Sequence, residues 1–230
     1  MIDSGRDAKP SAPRTETVSA LILAGGSGER LGGKPKALLR AGDETLLARV
    51  VSQARDHASE VIVGLPAGLV ATGKDILGSR AEVIAGGETR QATFLETFAR
   101  STGDIVVIHD VARPFASARL WMAVIDGARD HGGAAPVVPL PVRDSLAMRE
   151  GSWLGSPVER EGLVSIQTPY AFRRPVLSRA LSTAAERGWM ESSVTTLVTR
   201  SGQRVLLVPG DPENTKVTFQ EDWDEAEDRF

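Results

Sequence analysis

The chain contains no cysteine and only three histidines. The first absence excludes disulfides, thiolate catalysis and cysteine-ligated zinc, and the second argues against a histidine-rich metal cage. No stretch reaches the roughly 18 uninterrupted apolar residues of a membrane-spanning helix, so no membrane partner is expected. Neither sign of charge dominates: 27 basic residues stand against 30 acidic ones, a net charge of -3. There is thus no general basic field to attract nucleic acid, and any anion site must be assembled locally. The first 17 residues, MIDSGRDAKPSAPRTET, lack the apolar centre of a secretory signal and mix charge with Pro, Ser and Gly. They are expected to form a disordered tail on a cytoplasmic protein.

What is present suits one domain over residues 18–230, since 41% hydrophobic content in 230 residues can build a sizeable core. Short apolar runs recur at 18–24, 60–65, 81–85, 104–110, 134–141 and 204–208. Most are nearly continuous in Val, Ile, Leu and Ala, as strands covered on both faces are. Helical patterns lie between them at 44–58, 88–101, 117–132 and 174–188. Strand alternating with helix implies an open, mostly parallel, Rossmann-like α/β sheet, in which ligands bind beyond the carboxyl ends of strands. One segment breaks the rhythm. Residues 141–161 form two short extended pieces around a Gly-Ser-Trp-Leu-Gly-Ser turn, too poor in apolar residues to pack alone. A protruding β-hairpin arm is expected, with Trp153 and Leu154 needing a partner surface.

Two motifs sit beyond apolar strands. In LILAGGSGERLGGKPKALL, glycines at 25, 26, 28, 32 and 33 let the main chain turn several N–H groups toward an anion, and Arg30, Lys34 and Lys36 add charge there. A mobile turn with solvated lysines is the plain alternative. The loop is not that of nucleoside triphosphatases, because no Gly-Lys-Ser/Thr ends it, nor does it have the G-x-G-x-x-G spacing of dinucleotide folds. His109-Asp110-Val111-Ala112-Arg113-Pro114 closes the strand at 104–110, placing a carboxylate where this fold puts function. Asp110 can accept a hydroxyl or assist magnesium, and Arg113 can grip a phosphate at two points. An internal Asp110–Arg113 ion pair is the alternative, and His109 reads as a structural core residue.

The order A-G-G-x-G-x-R-L with K-P-K, then G-G-x-x-R at 86–90, H-D-V-A-R-P at 109–114, P-V-R-D-S at 141–145, E-R-x-G-L at 159–163, Q-T-P at 167–169 and P-E-N-T-K-V-T at 212–218 resembles the 2-C-methyl-D-erythritol 4-phosphate cytidylyltransferases. These are nucleotidyltransferases that join CTP to a polyol phosphate, and the likeness covers nearly everything after residue 18. The resemblance implies a homodimeric enzyme of the non-mevalonate isoprenoid pathway that uses Mg²⁺. It implies a triphosphate loop of Ala24, Gly25, Gly26, Gly28 and Arg30, with Lys36 and Lys216 stabilising the charge that spreads during transfer and Arg30 holding the leaving pyrophosphate. Cytosine would be read by Gly86, Gly87 and Thr93, the last standing where the family usually has Ser; a plain turn with Arg90 on a solvated face is the alternative. Asp110, Arg113, Ser145, Arg160 and Thr168 would receive the acceptor, with Arg160 and Thr168 completing the pocket across a subunit interface and Ser145 in place of the usual threonine. A merely solvated arm would instead pair Arg160 with Glu159 or Glu161.

Two stretches depart from the pattern: Ser192-Ser193-Val194-Thr195 replaces a Thr-Asp-Asp/Glu-Ala stretch, and Tyr170 follows Thr-Pro where Gln is common. They leave room for another acceptor, such as ribitol 5-phosphate. A catalytically silent nucleotide-binding protein is the reading from a different class.

Overall fold

The computed structural model describes residues 16–26, 33, 35–140 and 144–230. Gly28, Arg30, Lys34, the start of the arm at 141–143 and residues 1–15 of the expected tail lie outside that set. The two described residues of that tail are tied down. Glu16 pairs with Arg129 and Arg173 at 3.0 and 2.7 Å, and Thr17 donates its N–H to the Asp104 carboxylate.

The apolar runs form strands as expected: β1 Val18–Leu23, then beyond a short hairpin of β2 Arg40–Ala41 and β3 Glu44–Thr45, β4 Glu60–Leu65, β5 Glu82–Ala85, β6 Ile105–Asp110 and β7 Gly133–Pro139. Next come β8 Leu146–Glu150 and β9 Trp153–Val158, β10 Val164–Ile166, β11 Tyr170–Arg173 and β12 Leu206–Pro209. The helices are α1 Leu46–Arg55, α2 Val70–Leu77, α3 Arg90–Arg100, α4 Ala118–His131, α5 Arg174–Arg187, α6 Val194–Arg200 and α7 Gln220–Glu227. Helix α1 starts two residues later than the pattern suggests because Glu44 and Thr45 pair with β2, and Thr45 then caps the helix by accepting the Ala48 N–H at 3.1 Å.

The main sheet runs β10-β7-β11-β6-β1-β4-β5, with β12 joined in parallel to β7. Pairs β6–β1, β1–β4 and β4–β5 are parallel, while β10 and β11 run against their neighbours. All six residues of β6 are buried, which explains the unbroken apolar run Ile105 to Ile108 ahead of His109 and Asp110. Side chains alternate between two faces. Ala20, Ile22, Val63 and Val107 pack against α1 and α4 on one, and Leu21, Ile62, Val106 and Ile108 meet α3, α5 and α6 on the other. A third cluster joins Leu46 to Val217 and Trp223, fastening the C-terminal segment beside α1.

The hairpin expected at 141–161 exists as β8 paired with β9, separate from the main sheet. Trp153 is 81% and Leu154 87% exposed at its tip. Among the described residues no helix is long and apolar enough to cross a membrane.

Candidate active site

Strands β1, β5 and β6 point their carboxyl ends at one cleft of about 230 Å³. Gly25 and Gly26 follow β1, Gly87 and Thr89 lead from β5 into α3, and Asp110 is the last residue of β6. Lys36, on a single 3-10 turn at Lys36–Leu38, and Lys216, from the segment after β12, close the remaining sides. A wider groove of about 700 Å³ lies between the β2–β3 hairpin and the C-terminus, away from these motifs.

Asp110 is the centre of the site. Arg90 reaches its Oδ1 through both Nε (3.2 Å) and Nη2 (2.8 Å), while Lys216 Nζ takes Oδ2 at 2.8 Å. Burial alone would raise the carboxyl pKa, but Arg90 and Lys216 outweigh it and hold the group well below the usual carboxylate range. Asp110 is therefore an anion with each oxygen held by a different cation. Its backbone N–H donates to Thr168 Oγ1 at 3.1 Å. That hydroxyl lies 3.0 Å from Nδ1 of His109, whose Nε2 is 3.0 Å from the Arg113 carbonyl. A carbonyl only accepts, so Nε2 carries the proton and Nδ1 accepts from Thr168. His109 is fully buried, and desolvation lowers its pKa to about 4, keeping it neutral and structural.

The segment after β12 is fastened by the same neighbourhood. Asn214 Nδ2 donates to the Thr168 carbonyl at 2.8 Å, Gln167 Nε2 to the Asp211 carbonyl at 2.8 Å, and Lys36 Nζ to the Val217 carbonyl at 2.9 Å. Arg113 joins this set through Nη1 on the Asn214 carbonyl at 2.6 Å.

Several expectations change in the light of this geometry. Arg113 is turned toward Asn214, so it neither pairs with Asp110 nor lines the cleft. Asp110 pairs instead with Arg90, which lines the cleft rather than standing on a solvated face. Thr168 is buried with its hydroxyl spent between Asp110 and His109 of its own chain. Ser145 is exposed and Arg160 donates to the Asp144 carbonyl at the base of the arm; neither lines the cleft. Lys36, Lys216, Gly25, Gly26, Gly87 and Thr93 do line it. Ala24 is buried at the end of β1, donating its N–H to Gly64. Gly86 and Gly87 are needed for packing as well: an added Cβ would lie 2.7 Å from Thr93 Oγ1 in one case and 2.4 Å from Ala92 Cβ in the other. The structure also brings in residues that motif reading left aside, namely Arg90 as a partner of Asp110, Tyr170, Gln167 and Asn214. The Arg of G-G-x-x-R and the Asn of P-E-N-T-K were the available signals for two of them.

Residues 18–229 match the family profile of 2-C-methyl-D-erythritol 4-phosphate cytidylyltransferase. The chain belongs to the 2-C-methyl-D-erythritol 4-phosphate cytidylyltransferase family. It is 41% identical over 209 residues to the enzyme of that name from Deinococcus radiodurans, covering 90% of this chain and 86% of the relative. It is 39% identical over 205 residues to that from Thermus thermophilus, covering 89% and 93%. A crystal structure of 2-C-methyl-D-erythritol 4-phosphate cytidylyltransferase from Thermus thermophilus superposes with a TM-score of 0.77 at 35% identity, over 94% of this chain and 98% of that one. Within this cytidylyltransferase fold, the cleft around Asp110 lies where the parallel strands end, as ligand sites of open α/β sheets do.

Proposed function

We propose that the chain transfers CMP from CTP to 2-C-methyl-D-erythritol 4-phosphate, forming a CDP-polyol and pyrophosphate for isoprenoid precursor synthesis. Family membership over residues 18–229 carries this reading, and the cationic cleft around a fixed carboxylate supports it. A phosphate oxygen of the acceptor attacks the α-phosphorus of CTP in line. One P–O bond forms, the bond to the bridging α–β oxygen breaks, and that oxygen leaves with pyrophosphate. Two anions meet in this step, so catalysis is mainly positioning and charge stabilisation. Lys36 and Lys216 border the cleft and suit that role, with Arg30 assigned to the pyrophosphate. Asp110 suits an acceptor hydroxyl, because a carboxylate kept ionised accepts hydrogen bonds strongly.

Magnesium fits as a companion of the triphosphate rather than a resident ion. Among the described residues no group of three or more His, Asp or Glu could hold a metal, and both Asp110 oxygens are engaged by cations. Mg²⁺ commonly uses one or two carboxylates and otherwise the substrate phosphates, and Asp110 and Glu88 are the acids at hand. When bound it would neutralise phosphate charge. The exposed arm supports a homodimer in which Trp153 and Leu154 are covered by a second subunit.

Pyrophosphate release, measured with CTP, UTP, ATP and GTP against methylerythritol phosphate and ribitol 5-phosphate, tests the proposal. Release is expected with CTP and methylerythritol phosphate, and Lys216→Ala should slow it roughly 100-fold with the fold intact. A wild-type protein that releases none, or one that prefers ribitol 5-phosphate, would overturn the assignment.

A further inference from the structure

Tyr170 is buried to 1% exposure, yet its hydroxyl belongs to the site. Arg90 Nη2, the same nitrogen that holds Asp110 Oδ1 at 2.8 Å, donates to the Tyr170 oxygen at 3.0 Å. Arg90 Nη1 donates to the Ser192 carbonyl at 3.4 Å, and the neighbouring Ser193 Oγ lies 2.6 Å from Thr195 Oγ1. The loop bearing Ser193 is fixed by the residue next to Arg90. Gln91 Nε2 donates to the Trp189 carbonyl at 3.1 Å, and its Oε1 accepts the Glu191 N–H at 2.7 Å. Helix α3 thus supplies both the arginine and the clamp on the loop that restrains it. The ring of Tyr170 is immobilised by β11 and an edge contact with Phe172 at 5.8 Å, so the hydroxyl is a fixed point.

We propose that Tyr170 is a positioning residue for the transfer reaction: its hydroxyl, together with the Ser192 carbonyl, fixes Arg90 so that the Asp110 carboxylate is presented to the cleft in one orientation. This rests on the functional reading above. The physical basis is the planar guanidinium fork. With two bonds to Asp110 Oδ1, a long one from Nη1 to the Ser192 carbonyl and one to a rigid hydroxyl, its plane is determined; without the hydroxyl an Nη2 proton has no acceptor and the fork is held more loosely about Oδ1. Tyr170 does not line the cleft, so it acts through Arg90.

Tyr170→Phe keeps the ring and deletes the oxygen. The expected result is a loss of about tenfold in kcat/KM for methylerythritol phosphate with KM for CTP within about twofold of wild type. Equal changes in both KM values would overturn the proposal. A second readout does not depend on turnover. In arginine-¹⁵N-labelled protein the Arg90 Nε–H signal, identified by its absence in Arg90→Lys, should be protected from solvent exchange in wild type and lose protection in Tyr170→Phe. Unchanged protection would overturn the positioning role even in an active enzyme, whereas wild-type inactivity with intact protection would sink only the functional reading.

Discussion

His109 shows how a residue beside a reactive group serves by staying inert. Its pKa falls from 6.5 to about 4 because a buried imidazolium has lost its water. The unfolded chain therefore binds a proton that the folded one refuses, so stability is complete above pH 6.5 and declines as pH falls from there toward 4. The interval corresponds to about 3 kcal/mol. Asp110 works at lower pH: its contribution is present above the ordinary carboxyl pKa and disappears only as pH falls through its depressed value. Urea unfolding across pH should show His109→Gln with a flatter slope between 6.5 and 4 than wild type, and parallel slopes would show that His109 is not the group responsible. The inertness of His109 was legible from its place on an apolar strand, as was the prominence of Asp110. What surrounds Asp110 was not, because Arg90 is 20 residues away and Lys216 106 residues away in sequence. Chain separation hides such pairs from local reading. Arg113, three residues from Asp110, was the near but mistaken candidate.

At the scale of elements, the strands were readable because burial on both faces leaves an unambiguous apolar run, as in β6. The weaker pieces were missed. Helix α6 is only seven residues long, and α7 reads QEDWDEAE with Trp223 and Ala226 as its buried residues, so neither shows a broad apolar stripe. Strands β10 and β11 are short and separated by Gln167-Thr168-Pro169, where the Gln167 and Thr168 side chains serve the site rather than the core pattern. The two departures from the family pattern, Tyr170 and Ser192-Ser193, meet at Arg90, which donates to the Tyr170 hydroxyl and to the Ser192 carbonyl, a junction that no spacing rule joins. Helix α3 sits so close to the turn after β5 that Gly87 has no room for a side chain. Gly87→Ala should destabilise the fold by about 1–3 kcal/mol through overpacking. Gly68→Ala, with nothing within 4 Å of the added carbon, is the control for thermal unfolding. Similar melting temperatures for the two would mean that α3 shifts without cost.

For the whole molecule, the arm and the C-terminal segment extend beyond what the sheet alone provides. The arm was visible in the sequence as an extended stretch without a core of its own, and the structure leaves Met148, Trp153 and Leu154 in solvent. Replacing Met148 to Ser156 with a short turn should abolish the dimer proposed above and leave monomers in sedimentation, and a dimer that survives the deletion would place the subunit contact elsewhere. The C-terminal segment has a different consequence. Asp211, Asn214, Lys216 and Val217 are bonded to Gln167, Thr168, Asp110 and Lys36, so the last tenth of the chain locks together parts made much earlier. A ribosome that has released the strands through β11 has exposed nearly all of the sheet but none of the closing lysine. Domains begin to fold while synthesis continues. This one passes through a stage at which its scaffold can form while the cleft still lacks a wall, and the cleft is complete only after residue 216 has left the exit tunnel. A single proteolytic cut ahead of Asp211 would recreate that stage in the finished protein.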